Sequence, residues 1–404
     1  METMIFQPAD ILLPADADMR CWSVIACDQF TSDQAYWDTV EATVGNRPST
    51  LRLMLPECYL GRCDAAASAQ RIQDTMNRYL SDGTFRTVEH SIIYLERTLS
   101  GGTVRRGLIG MVDLEAYAYE ADSDAKIRAT EHTVADRLPP RVKVRAEASL
   151  EMPHIMLFFR DSEDRVMQYA ASQRGECLYD FELMQGGGHV KGKRISGADA
   201  DALAAYLQSV TSGQALQYAV GDGNHSLAAA KALWIKRREQ LPASERMTDP
   251  ARFALVEMVN IHDPAVTLEP IHRVLFGVSA ETFLTEAKQA LYDPNGTKTI
   301  VLLAGAHRER IPVRGNSVGQ VIELTDTFCR RYLQTHGGEP DYIHGDDETV
   351  QLASGTDCVG ILLPNMSKQE LFSSVETTGP FPKKSFSIGL GPDKRYYLEC
   401  RRLK

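Results

Sequence analysis

Between residues 199 and 239 the hydrophobic period changes twice, and this constrains the fold more than any other feature of the chain. Leu203, Tyr206, Leu207 and Val210 recur at i, i+3, i+4 and i+7, the spacing of one helix face. Asp199 and Asp201 precede them, and negative charge suits a helix start. Gly213 stops the helix, and Leu216, Tyr218 and Val220 then alternate as in a strand. The strand runs into Gly221-Asp222-Gly223-Asn224-His225, and an alanine-rich helix is expected over Ser226–Glu239. Helix, strand, glycine turn and helix form an α/β unit whose turn lies at the strand's carboxyl end, where open α/β sheets place ligands.

The rest of the chain alternates in the same way, so the expected class is α/β or α+β, with mixed sheets and flanking helices. A helix is expected from Asp64 to about Leu80, with Ile72, Met76, Tyr79 and Leu80 along one face. Val88–Arg97 and Thr103–Val112 read as a hairpin around Ser100-Gly101-Gly102. Glu120 to about Arg145 is polar and charge-dense, a linker or a functional loop. Strands are expected at Ile155–Phe159, Phe253–Val259, Thr299–Ala304 and Val359–Leu363, and a helix over Val318–Thr335. Ser367 with Glu370 forms a capping box that opens another helix. Three regions are expected: 1–125 contributing to the site, 126–275 with the central turn, and 276–404.

Composition narrows the partners. The chain has 404 residues and a formal net charge of −10, which argues against broad nucleic-acid binding, since that needs a basic face. No apolar stretch approaches about 18 residues, so no membrane span is expected. The start, METMIFQPADILLPADADMR, lacks a basic segment followed by an apolar run, and a cytoplasmic location is expected. The eight cysteines include no CxxC pair, so reduced thiols fit better than structural zinc.

Gly221–His225 carries the strongest local signal. Helix-start N–H groups favour a phosphate or carboxylate, and the glycines let backbone approach closely. Asp222 is placed to hold a metal or orient a hydroxyl, and His225 to donate to an anion or move a proton. The bland alternative is a glycine turn whose Asp or Asn caps the helix. Gly187–Lys193 resembles the first part of a P-loop, but Arg194 stands where Ser or Thr is required, so a plain turn is the better reading. Arg128, Glu131, His132 and Arg137 form an anion-clamp candidate in the polar stretch. Asn260, His272 and Arg273 follow a buried apolar run, and Lys383, Lys384 and Ser385 form a basic patch with a hydroxyl.

Five segments, in order, resemble the family catalogued as domain of unknown function 1015: IACDQFTSD (25–33), RATEHTVADR (128–137), AVGDGNHSLAAAK (219–231), VNIHDPAVTLEPIHR (259–273) and TGPFPKKSF (378–386). The family's central turn reads Asp-Gly-His-His-Arg. Here Asn224 replaces the first His and Ser226 the Arg, which removes one fixed cation. The tail Pro382-Lys383-Lys384-Ser385-Phe386 approximates the family's Pro-Pro-Lys-Ser-Thr. The turn is also similar to one in the ParB/sulfiredoxin-like fold, whose members bind nucleotides and in some cases phosphorylate small molecules such as free serine.

The resemblance implies a phosphotransferase or nucleotide hydrolase using ATP or ADP with Mg²⁺. Gly223, Asn224 and His225 would cradle phosphate, and Asp222 would lie near the metal. Asp28 or Glu131 would act as base, while Arg128, His272, Arg273 and Lys384 would spread charge. The other reading, suggested by Ser226, is a non-catalytic sensor of a nucleotide or acidic metabolite. A homodimer is the assembly considered.

Overall fold

The computed structural model describes residues 4–133, 138–152 and 155–404. The chain divides into two compact units: Met1–Ala129 with Thr133–Val266 and Leu390–Lys404, and Thr130–His132 with Thr267–Gly389. The expected limit at 275/276 falls inside a strand, Leu268–Phe276.

The first unit is built on a mixed sheet. In spatial order its main strands are Cys177–Glu182, His189–Ser196, Phe85–Thr98, Val104–Asp113, Phe253–Asn260, Met156–Phe159, Tyr218–Asp222, Ile127–Ala129 and Tyr117–Ala118, with Phe6–Gln7 paired to Val104–Asp113 and Ala9–Pro14 to Phe85–Thr98. Phe253–Asn260 runs parallel to Met156–Phe159, and Tyr218–Asp222 runs parallel to Ile127–Ala129. Met156–Phe159 is antiparallel to Tyr218–Asp222, so the sheet is mixed, in line with the mixed sheets expected from the sequence.

Strand alternation sorts the apolar side chains into two layers. Ile93 and Leu95 join one cluster with Trp22, Trp37, Val40, Met76 and Tyr79. Their neighbours Ile92 and Tyr94 join the other, with Met167, Leu203, Leu207, Leu227 and Trp234. The first layer is closed by helices Gln34–Val44 and Ala65–Ser81, the second by Arg165–Ser172, Ala198–Thr211 and Asn224–Gln240. Helix Ala65–Ser81 starts where expected because Asp64 Oδ1 accepts the N–H groups of Ala66 and Ala67 at 2.9 and 3.1 Å. The hairpin pairs Thr98 with Val104 around the glycine turn. The described part of the polar stretch includes the strand Ile127–Ala129 and the start of the helix Leu138–Glu147. Three strand residues are too few to show a period, which explains why this strand is silent in the sequence. Lys193, from the P-loop-like segment, donates to the carbonyls of Ala171 and Gln173 at 2.7 and 2.8 Å, closing the end of helix Arg165–Ser172.

The second unit is an antiparallel sheet ordered His307–Val313, Lys298–Ala304, Cys358–Leu362, Leu268–Phe276 and Glu339–His344, with Phe386–Ile388 paired to Leu268–Pro270. Helices Ala280–Leu291 and Val318–His336 meet through Phe283, Phe328 and Tyr332, whose ring centroids lie 5.3–5.9 Å apart. Ser367 Oγ accepts the Glu370 N–H, the first half of the expected capping box. The Glu370 carboxylate goes to the Val318 N–H at 2.9 Å and to Lys298 at 3.0 Å, so it caps a neighbouring helix.

Candidate functional site

The central turn forms as the sequence implies. Tyr218–Asp222 ends at the turn, and helix Asn224–Gln240 begins immediately after Gly223. Gly223 has φ +81, the left-handed region, and a Cβ there would lie 3.0 Å from Ile155 Cα. Both facts call for glycine. The residue at the N-cap position is Gly223 itself, with Asp222 just before it and Asn224 opening the helix. Asp222 Oδ1 accepts the Gly223 N–H at 2.8 Å, and Oδ2 accepts from Lys394 Nζ at 3.1 Å. The Asp222 side chain is 27% exposed and that of Lys394 is 14% exposed. A carboxylate held at both oxygens, yet open to solvent, is a preorganised polar group at a helix start.

Lys394 is the residue that sequence reasoning missed. It belongs to the carboxyl-terminal segment of the same unit. The Ala26 N–H donates to the Arg395 carbonyl at 3.0 Å, and Tyr396–Tyr397 pairs with Val24–Ile25. The short ladder therefore carries Lys394 at one end of its carboxyl-terminal strand and leads from Ile25 into Cys27 and Asp28 on the other. Asp28 Oδ1 accepts from Gln29 Nε2 at 3.0 Å. Cys27 Sγ lies 3.3 Å from the Tyr397 hydroxyl. Burial, then the charge of Asp28, pushes the Cys27 thiol up to about 12. Burial, with Cys27 and Asp28, also raises the Tyr397 hydroxyl. Both are protonated at neutral pH, so Cys27 is not a thiolate nucleophile.

Other expected site residues of this unit lie elsewhere. Arg128 Nε donates to the Ala125 carbonyl at 3.0 Å and Nη2 to the Ala215 carbonyl at 3.5 Å. Both carbonyls precede the parallel strands Ile127–Ala129 and Tyr218–Asp222, so the guanidinium points to the end opposite Asp222. Asn260 stands opposite Phe159 and Asp222 opposite Met156, three residues apart on the strand between them, or roughly 10 Å. Asn260 is buried and structural: Nδ2 donates to the Asp161 carbonyl at 2.7 Å, and Oδ1 accepts from the Asp161 and His262 N–H groups at 3.2 Å. Arg137 lies outside the described residues.

Glu131, His132, His272, Arg273, Lys383, Lys384 and Ser385 belong to the second unit. The His132 N–H donates to the Phe381 carbonyl at 2.9 Å, and Glu131 forms a bridge with Phe381. Arg273 is 3% exposed and committed to structure. It grips Asp326 with Nε at 2.6 Å and Nη2 at 3.0 Å. Its Nη1 donates to the Ile271 and Lys384 carbonyls at 2.6 and 2.9 Å. These bonds use four of its five N–H donors. His272 is likewise engaged: Nδ1 accepts the Leu363 N–H at 3.1 Å, so Nε2 carries the proton it shares with Asp346 at 2.8 Å. Burial lowers its pKa, outweighing Asp346. It is a neutral core imidazole. Lys383 and Lys384 are exposed, with Lys384 at φ +57, and Ser385 is buried with its hydroxyl donating to the Pro382 carbonyl.

Among the described residues, no group of three or more His, Cys, Asp or Glu is arranged to hold a metal ion, and no helix is long and apolar enough to cross a membrane. Free serine kinase in complex with AMP is similar at a TM-score of 0.41 and 10% identity, over 72% of this chain and 91% of that one. SbnI with C-terminal truncation, from Staphylococcus aureus, gives 0.37 and 13%, over 70% and 82%. A conserved hypothetical protein from Pyrococcus furiosus gives 0.37 and 11%, over 69% and 90%. No curated protein matches the chain. The family model "Protein of unknown function (DUF1015)" matches residues 7–400, and the chain belongs to that family.

Proposed function

We propose that the chain binds a nucleotide, ATP or ADP, at the Gly221–His225 turn and transfers or hydrolyses its terminal phosphoryl group. The carrying observation is Asp222, fixed at both oxygens yet partly exposed, at the start of a 17-residue helix whose N-cap is Gly223. The positive end of that helix favours phosphate, and Lys394 adds a full positive charge beside it. His225 would donate to a phosphate oxygen, and Asp28 would accept the proton of an incoming hydroxyl. This keeps the sense of the ParB/sulfiredoxin-like resemblance while confining the roles to one unit.

Asp222 is the residue that would hold Mg²⁺. A single carboxylate suits this ion when it arrives with a nucleotide, because Mg²⁺ keeps waters and takes the remaining ligands from phosphate oxygens. It would neutralise charge on the transferring group. The test is to incubate the protein with ATP or ADP, Mg²⁺ and a set of small hydroxyl compounds, and to follow the phosphorus NMR spectrum. Loss of the terminal phosphate resonance supports the reading, and an unchanged spectrum with every acceptor and with water removes turnover.

Ser226, in place of the Arg of the family turn, favours one second reading: binding without chemistry. Saturable nucleotide binding alongside an unchanged spectrum would select it.

A further inference from the structure

Arg97 and Arg105 are direct cross-strand partners in the first unit, both nearly buried at 3% and 4% exposure. Like charges placed directly opposite each other on a sheet repel. Alternation puts them on the face that carries Leu95, Ile109 and Leu255, together with the fully buried Glu257. Glu257 Oε1 is 3.4 Å from Arg105 Nη2, and its Oε2 is 2.7 Å from Arg395 Nη1. Burial alone would raise the Glu257 pKa, but Arg105, Arg395 and Arg97 hold it below the usual carboxylate range. Burial and the Arg105 charge lower Arg97 to about 10, so this pair is under electrostatic stress.

A cavity of about 10 Å³ lies here, lined by Arg97, Arg105 and Arg395, with Glu399 and Leu95 among its other walls. Such a volume admits one water-sized particle. Its acceptors are already engaged: Glu399 takes Arg395 Nη2 at 2.6 Å on one oxygen and the Tyr179 hydroxyl on the other. Among the described residues, Arg97 Nε and Arg105 Nε are buried donors without a hydrogen-bond partner. Glu257 Oε1 also lacks a hydrogen bond, but Glu257 does not line the cavity. Asp393 offsets Arg97 at longer range while its carboxylate accepts the Ser100 N–H at 2.8 Å. The polar part of the cavity wall is three guanidinium groups, one carboxylate with both oxygens in use, and the hydroxyls of Ser23 and Tyr396, which donate to the Tyr397 and Met184 carbonyls. Among the lining residues, the buried side-chain polar atoms without a hydrogen bond are both donors, Arg97 Nε and Arg105 Nε, and two unmet donors suit an anion better than a water, whose hydrogens would need acceptors.

We propose that the cavity between Arg97 and Arg105 is a structural site for one monatomic anion of the halide class, chloride in practice. The volume excludes phosphate and carboxylates, so the site is separate from the proposed nucleotide site. A bound halide would screen the cross-strand arginines and accept from their orphaned Nε–H groups.

The test is diffraction from crystals of the full chain grown in sodium bromide, with data at the bromine edge. A single anomalous peak in contact with Arg97 and Arg105 is expected. Density there without anomalous signal, or anomalous peaks only at surface lysines, overturns the proposal. In solution, the unfolding midpoint should rise saturably by about 2–4 °C when bromide replaces gluconate at constant ionic strength. Arg105→Lys, which removes one Nε–H donor, should abolish that rise. If this variant does not fold, the wild-type diffraction result decides alone.

Discussion

Lys394 Nζ lies 3.1 Å from Asp222 Oδ2, joining residues 172 positions apart at the start of a helix. The pair fixes the carboxylate at the centre of the proposed site and places a lysine ammonium beside it. Lys394→Met should weaken ADP binding about 10-fold, the scale of one charge-assisted hydrogen bond at a partly solvated site. Lys394→Arg should restore part of it. Titration calorimetry of the two variants checks this, and equal affinities for wild type and Lys394→Met would remove the lysine from the site.

His225 follows Asn224 in the first turn of the same helix. His225→Ala should abolish phosphoryl turnover while changing unfolding free energy by no more than about 1 kcal/mol. Urea denaturation and the phosphorus NMR assay on one preparation check both halves. Unchanged turnover excludes the imidazole from the chemistry.

Gly223 is the backbone element of the site. Gly223→Ala forces an alanine to φ +81 and brings its Cβ to 3.0 Å from Ile155 Cα. The expected cost is about 1–2 kcal/mol from the left-handed conformation, and more if Ile155 cannot give way. Nucleotide binding should fall with it, because the helix start would shift. A variant with wild-type stability would show that the turn tolerates a side chain.

His272 gives a pH test of its structural role. Burial holds its folded pKa below the ordinary 6.5, so the unfolded state binds more protons as pH falls past that value. Stability from this group is complete above about 6.5 and declines on acidification, with a slope of at most about 1.4 kcal/mol per pH unit. His272→Gln lacks the titration, so the stability gap between wild type and variant should shrink between pH 7.5 and pH 5.5. A gap that widens on acidification would mean that protonated His272 is stabilised by Asp346.

Much of the fold was legible because long periodic segments carry their own signal. The helix expected over Asp199–Val210 is observed at Ala198–Thr211, and the apolar run Phe253–Val259 is a fully buried strand, Phe253–Asn260. The three-residue strand Ile127–Ala129 was not legible, since its identity depends on the parallel partner Tyr218–Asp222. The division into units was hidden for a related reason. The first unit recruits Leu390–Lys404 from the far end of the chain, and no local composition change marks that return.

The site was half legible. Gly221–His225 announced itself through a strand, two glycines and a helix in sequence. Lys394 did not, because Lys394-Arg395-Tyr396-Tyr397 looks like any basic aromatic stretch until the ladder to Val24–Ile25 aligns it. Polar type misled at Asn260, Arg273 and His272. Each looked available for a ligand in sequence, and each instead satisfies buried backbone or a buried carboxylate.

The most direct test of the central claim compares wild type with Asp222→Asn in a thermal-shift titration of ATP and ADP, each with and without Mg²⁺. A nucleotide at 100 times its dissociation constant stabilises the folded state by about 2.7 kcal/mol, a readable shift. A Mg²⁺-dependent rise is expected for the wild type and is lost in Asp222→Asn, with both proteins folded in buffer alone. The same rise in both proteins would contradict the claim, as would no rise in either.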